Sequence, residues 1–195
     1  MNHTTQTVCL DGKVAITATI TDMPDVVDDW VGEIRQMGGP PILGFVCEWR
    51  PHIFRPPNKI ATLQLSTNNR CLIAQLFYMS KIPKSLKDLL DDPSFIFVGV
   101  GVVRDARKLR KQYKLRVANA VEIDPSALAK RGRLLSRPAY VNLARAFCVF
   151  RLIKYIKLSL RNWVATARVP SEEQIEYGCI DACACYAIGC ELLLD

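Results

Sequence analysis

Ile42-Leu43-Gly44-Phe45-Val46-Cys47-Glu48-Trp49 is a short apolar run, opened by Gly38-Gly39-Pro40-Pro41 and closed by Arg50-Pro51. That is the pattern of a buried strand. Side chains alternate along a strand, so Gly44, Val46 and Glu48 share one face while Phe45, Cys47 and Trp49 share the other. A lone carboxylate at the end of an apolar strand is costly to bury without a partner. Glu48 is therefore expected to emerge at the edge of a sheet, at a site. Val46, two residues earlier on the same face, brings no charge to it.

Upstream of this strand, Lys13 to Ile20 alternates β-branched residues and reads as a strand. A helix is expected from a cap at Asp22 to about Met37, with Val26, Val27, Trp30, Val31 and Ile34 on one face. Downstream, Ile60 to Ser66 and Arg70 to Phe77 read as strands joined by Thr67-Asn68-Asn69, which is turn chemistry, so an antiparallel meander is expected. Pro83 to Leu90 reads as a short helix stopped by Asp91-Asp92-Pro93.

Ser94 to Val100 is expected to be a fully buried strand that passes through Gly101 into a strongly basic helix, Arg104 to Lys114, which opens a βα unit. Asp105 lies in the first turn of that helix, where free N–H groups favour a carboxylate and where open α/β sheets bind ligands. Val117 to Ile123 reads as a last short strand. In the Lys/Arg-rich stretch from Lys130 to Arg161, Tyr140 to Tyr155 is expected to be helical. The final helix opens on Ser171-Glu172-Glu173-Gln174, a capping box, and runs to about Leu194. Tyr177 and Asp181, four apart, stack on one face of it, and Ile180, Ala184 and Ile188 mark a core-facing stripe.

The chain has 195 residues, half of them apolar and 23% charged. This composition excludes a disordered chain and suits one globular domain spanning residues 1–195. No charge-free run approaches the ~18 apolar residues of a membrane span. Met-Asn-His-Thr-Thr-Gln-Thr at the start lacks a basic region followed by an apolar stretch, so the expected location is intracellular, in nucleus or cytoplasm. The net charge of +7 favours an anionic partner such as nucleic acid. The eight cysteines form no CxxC pair and only His3 and His52 accompany them, which argues against a zinc site and for reduced, mostly buried thiols.

Glu48, Asp105 and Asp181, with Tyr177 one turn before the last, are individually unremarkable; an isolated acid on a helix is usually a solvated residue. Their order and context are more specific. Gly44-Phe45-x-x-Glu48-Trp49-Arg50-Pro51, then Phe97-Val98-Gly99-Val100-Gly101 with Asp105, then Tyr177-x-x-x-Asp181-Ala182 resemble the three motifs of the DEDDy 3′–5′ exonucleases. The similarity is strongest to the Werner-syndrome-like exonuclease domains of plants and spans nearly the whole chain. Only Lys130 to Val169 matches poorly, with Trp163 echoing a tryptophan before the family's last helix.

The resemblance implies a ribonuclease-H-like mixed sheet, an antiparallel meander followed by parallel strands, flanked by helices. It implies hydrolysis of a terminal phosphodiester on a DNA or RNA 3′ end with two divalent ions, magnesium or manganese. By the family's pattern Glu48 and Asp181 hold the metal that carries the attacking water, Asp105 supports the second, and Tyr177 positions the nucleophile. The family's pattern has an aspartate where this chain has Val46. Catalysis is accordingly expected to be impaired, with the second metal weakly held. The alternative is a catalytically dead exonuclease fold used to bind nucleic acid or a protein.

Overall fold

The computed structural model describes residues 3–10, 14–49, 59–124, 163 and 170–194. Val14–Thr21 forms β2, close to expectation, and His3–Leu10 (β1) pairs with it antiparallel from His3↔Thr21 to Leu10↔Val14. β1 is an addition to the expected elements. Its Thr-rich sequence suits an edge strand, and only Val8 among its described side chains is buried.

The next helix, α1 (Pro24–Gln36), buries Val27, Trp30, Val31 and Ile34 at helical spacing. The expected cap is one residue out. Met23 is the N-cap, no side chain caps the helix, and the Met23 N–H instead donates to Thr21 Oγ1 at 2.9 Å.

β3 (Ile42–Trp49), β4 (Ile60–Ser66) and β5 (Arg70–Ala74) form the antiparallel meander. β5 stops at Ala74, short of Phe77, because the chain turns at Gln75, whose carbonyl accepts from the N–H groups of Tyr78 and Met79. After α2 (Lys84–Leu90), β6 (Ile96–Gly99) pairs parallel to β3. α3 (Val102–Tyr113) starts at Gly101 in the left-handed region (φ 75°) and ends at Lys114 (φ 59°). β7 (Ala120–Glu122) pairs parallel to β6, and β2 pairs parallel to β5. The described strands form one seven-stranded sheet in the order β1-β2-β5-β4-β3-β6-β7.

Helices cover both faces. Phe45, Cys47, Leu63, Leu65 and Phe97 point to the side of α1, α2 and α3, where they join Trp30, Leu86 and Leu109 in the main core. The other face belongs to α4 (Glu172–Leu193), whose capping box is formed: Gln174 N–H donates to Ser171 Oγ at 3.3 Å and Ser171 N–H to Gln174 Oε1 at 3.0 Å. α4 meets β3 more than any other strand.

That packing depends on missing side chains. A Cβ at Gly44 would lie 1.8 Å from the Ala182 carbonyl oxygen and 2.8 Å from the Tyr186 nitrogen. A Cβ at Gly189 would lie 2.8 Å from Val98 Cγ2, and Gly178 faces the Gln64 side chain. The line of α4 that meets the sheet is therefore Gly178–Ala182–Gly189. The expected stripe of Ile180, Ala184 and Ile188 lies to one side of it, and Ile180 is only half-buried. Small residues win here because they let backbone approach backbone. The expected helix Tyr140 to Tyr155 lies outside the described residues.

Gly44→Ala should lower stability by ~3 kcal/mol or more, because the obstacle is helix backbone, which cannot rotate aside. Gly32→Ala in α1, where nothing lies within 4 Å, should instead raise it by roughly 0.5–1 kcal/mol. Urea denaturation of the two variants beside the native protein checks the contrast. Equal effects would contradict the packing described.

Candidate active site

β3 carries Glu48 to the level of Thr62, and the β3–β4 register shifts between Glu48 and Trp49. Such an irregularity re-aims the side chains on either side of it. Glu48 is half-buried there. One row back, Val46 pairs with Gln64 and packs under α4. It touches both apolar groups beneath that helix: the one with Ile175, Cys179 and Cys183 toward β2 and β5, and the one with Ala184, Cys185 and Ile188 toward β6.

Successive helical residues are ~100° apart, so Tyr177 and Asp181 share a flank of α4 with Ala184 and Ile188. Both side chains are buried, at 1% and 3% exposure. Tyr177 packs on Ala61 and on Trp163, whose ring centroid is 6.3 Å away. Ala61 precedes Thr62, the partner of Glu48, so Tyr177 stands at the same end of the sheet as Glu48.

Asp105 arrives from the opposite face, in the first turn of α3. It is 3% exposed. Arg104 Nε–H donates to its Oδ1 at 3.2 Å. Burial pushes the Asp105 carboxyl up to about 6; Arg104 and Lys108 oppose that, and Glu122 adds to it. The thiol of Cys47, fully enclosed, is raised first by burial and then by the charges of Asp105 and Glu48. Both acids thus act on one side chain of β3. Trp49, next to Glu48, has Lys108 Nζ 3.7 Å and Arg104 Cζ 5.2 Å from its ring centroid.

Glu122 was missed by the sequence reading. Its carboxylate accepts from the Gly101 N–H and from the Val103 N–H (3.3 Å), so it closes the start of α3 beside Asp105. No local signal marks it: the parallel pairing with β6 sets Glu122 beside Gly99, at the same end of the sheet.

Glu48, Asp105 and Asp181 are oxygen donors of the kind that hard divalent ions take. Glu48 comes from β3 itself, and Asp105 and Asp181 from helices on the two opposite faces of the sheet. Among the described residues, however, no three His, Cys, Asp or Glu side chains gather closely enough to hold a metal ion. The methyls of Val46 fill the row between Glu48 and the centre of α4. The residues present do not fit a preformed two-metal centre.

A mixed sheet of this order, helix-covered on both faces and acidic at the end of β3, defines a ribonuclease-H-like fold. A 3′–5′ exonuclease family model matches residues 19–194, and the chain belongs to that family. It is 31% identical over 164 residues to Exonuclease 3′-5′ domain-containing protein 2 of Drosophila melanogaster, covering 79% of this chain and 26% of that protein. It is 29% identical over 153 residues to a 3′-5′ exonuclease of Arabidopsis thaliana, covering 77% and 52%. The chain thus spans about a quarter to about half the length of these relatives.

The EXD2 exonuclease domain, in crystals soaked in Mn and GMP, superposes with a TM-score of 0.50 at 27% identity, over 90% of this chain and 89% of that one. The Aedes aegypti Nibbler EXO domain shares the fold, with a TM-score of 0.65 at 18% identity over 89% and 87%.

A carboxyl raised from 3.8 to about 6 on folding binds its proton more tightly in the folded state. Its cost is absent below the unfolded value and complete above the folded one, reaching roughly 2–3 kcal/mol. In chelator, Asp105→Asn should therefore gain stability over the native protein at pH 7.5 and lose most of that gain at pH 4. Urea denaturation at both values measures it, and a pH-independent difference would contradict the burial of the charge.

Proposed function

We propose that this chain acts on the 3′ ends of nucleic acids as an exonuclease-family domain whose hydrolytic rate is strongly reduced. We take residues 1–195 to work as one unit. The observation that carries the reading is Val46, packed under α4 at the row where the resembled pattern has an aspartate. Glu48, Asp105, Asp181 and Tyr177 keep the order of the motifs.

In the chemistry the resemblance implies, two divalent ions, held by Glu48, Asp105 and Asp181, would activate a water and stabilise the leaving oxygen. Three acids and a valine offer those ions less charge than four acids, so the second ion would be weakly held. A loss of several kcal/mol of transition-state stabilisation corresponds to a rate lower by roughly three or more orders of magnitude. What the chain's own residues contribute is clearer. Glu48 and Asp105 set a negative corner, Tyr177 is fixed by Ala61 and Trp163, and Arg104 and Lys108 supply cations beside the acids.

A second reading has its own support. The acids are not gathered, and the cations of α3 are. Together these favour an exonuclease fold that binds a nucleic-acid end, or a protein, without cutting.

Labelled single-stranded DNA and RNA, incubated with magnesium or manganese, should be shortened slowly or not at all by the native protein. Val46→Asp should shorten them at least ~100-fold faster, a gain of about 2.7 kcal/mol at the transition state. Native digestion as fast as that of the variant would show that the valine is not limiting. No shortening by either would leave the non-catalytic reading.

A further inference from the structure

α3 turns Val102, Asp105 and Leu109 inward. Helical spacing then sets Arg104, Arg107, Lys108 and Lys111 within one arc of ~100° on its outer side, over a length of ~10 Å. Two observations separate this stripe from an ordinary solvated face.

The first is its isolation from acids. Elsewhere four of the described cations have carboxylate partners, Arg35 with Asp92, Arg70 with Glu33, Lys84 with Asp88 and Arg116 with Asp91, while Lys59 lies over the Tyr113 ring. On α3 only Arg104 has one, the buried Asp105. Arg107 and Lys111 pair with no carboxylate among the described residues, and of the chain's 19 Asp and Glu only Asp11 and Asp195 lie outside them. Residues 104–116 hold seven Lys and Arg against one acid. The chain's positive charge is concentrated here and between 125 and 169, and the remainder is net negative.

The second is Trp49. Its ring carries Lys108 Nζ at 3.7 Å and Arg104 Cζ at 5.2 Å. A cation resting on an indole keeps its N–H donors for another acceptor, whereas a salt bridge uses them up. Burial lowers the pKa of Lys108, so holding the ammonium there has a cost that an incoming anion would relieve. Trp49 directly follows Glu48, so the stripe begins at the corner where the acids stand.

We propose that Arg104, Arg107, Lys108 and Lys111, the first and third of them propped on Trp49, form the track that holds the phosphate backbone of a single strand leading to the Glu48–Asp105 corner. The inference rests on the exonuclease-family reading and deepens it by naming the surface that grips the substrate. A run of phosphates is the partner that suits it. Its charges repeat along a line as the cations do, and its bases can stack on aromatic and guanidinium planes.

The test measures binding in chelator, so that no cleavage enters. A labelled single-stranded oligonucleotide is titrated by fluorescence anisotropy between 50 and 200 mM salt. Arg107→Gln/Lys111→Gln touches neither Trp49 nor Asp105. It should lower affinity at 50 mM salt about tenfold, and it should flatten the slope of log affinity against log salt by ~1.4, or ~0.7 per lost phosphate contact. Arg107→Lys/Lys111→Arg should keep the native slope. So should Lys84→Gln/Lys87→Gln on α2.

An unchanged slope in the folded α3 glutamine variant would overturn the track, as would no binding by the native protein at 50 mM salt. Displacement of the oligonucleotide by polyglutamate at equal charge concentration would overturn it in favour of an acidic protein partner. Rake-like loss of binding across both helices' variants would also count against it, since the track is specific to α3. Track-dependent binding without any shortening in manganese would leave the track standing and remove only the catalytic reading.

Discussion

The carbonyl oxygen of Ala182 occupies the space that any side chain at position 44 would need. Most of the architecture follows from that contact. It brings the backbone of α4 onto the middle of β3, and it fixes the helix in rotation as well as in height. Gly189 extends the close approach, over Val98. With the helix so held, Tyr177 and Asp181 lie on one flank, with Tyr177 packed on Ala61. The opposite flank is committed to Ile175, Cys179 and Cys183 over β2 and β5.

The same contact decides what Val46 does. A side chain one row from Gly44 lies under the axis of α4, where a carboxylate would need strong compensation to be buried. A valine needs none, and here it joins the two apolar groups under the helix into a nearly continuous layer. The corner beyond it keeps its acids but spreads them over a strand end and two helices on opposite faces. Asp105 is buried there: Arg104 donates to its carboxylate at 3.2 Å, and burial raises its proton affinity. Fold and family are thus retained around a site whose centre is apolar.

Much of this was legible in the chain. The run from Ile42 to Trp49, the Ser171–Gln174 capping box and the turn at Asn68-Asn69 are local signals, and each element formed close to where it was read. The order Glu48, Asp105, Tyr177, Asp181 carried the family. Other features were not legible because they depend on partners distant in sequence. β1 exists only through its pairing with β2. The sheet-facing line of α4 is drawn by glycines and an alanine, which carry no hydrophobic signal, so the Ile180–Ala184–Ile188 stripe looked stronger than it is. Glu122 reads as an ordinary acid until the β6–β7 pairing places it at the start of α3.

The central claim is that valine occupies the row where a carboxylate would have to stand for divalent ions to be held. Equilibrium binding of manganese, followed by calorimetry on the native protein and on Val46→Asp, tests it without reference to any substrate. The account predicts weak binding by the native protein and binding at least tenfold tighter by the variant. Equally tight manganese binding by both would contradict it.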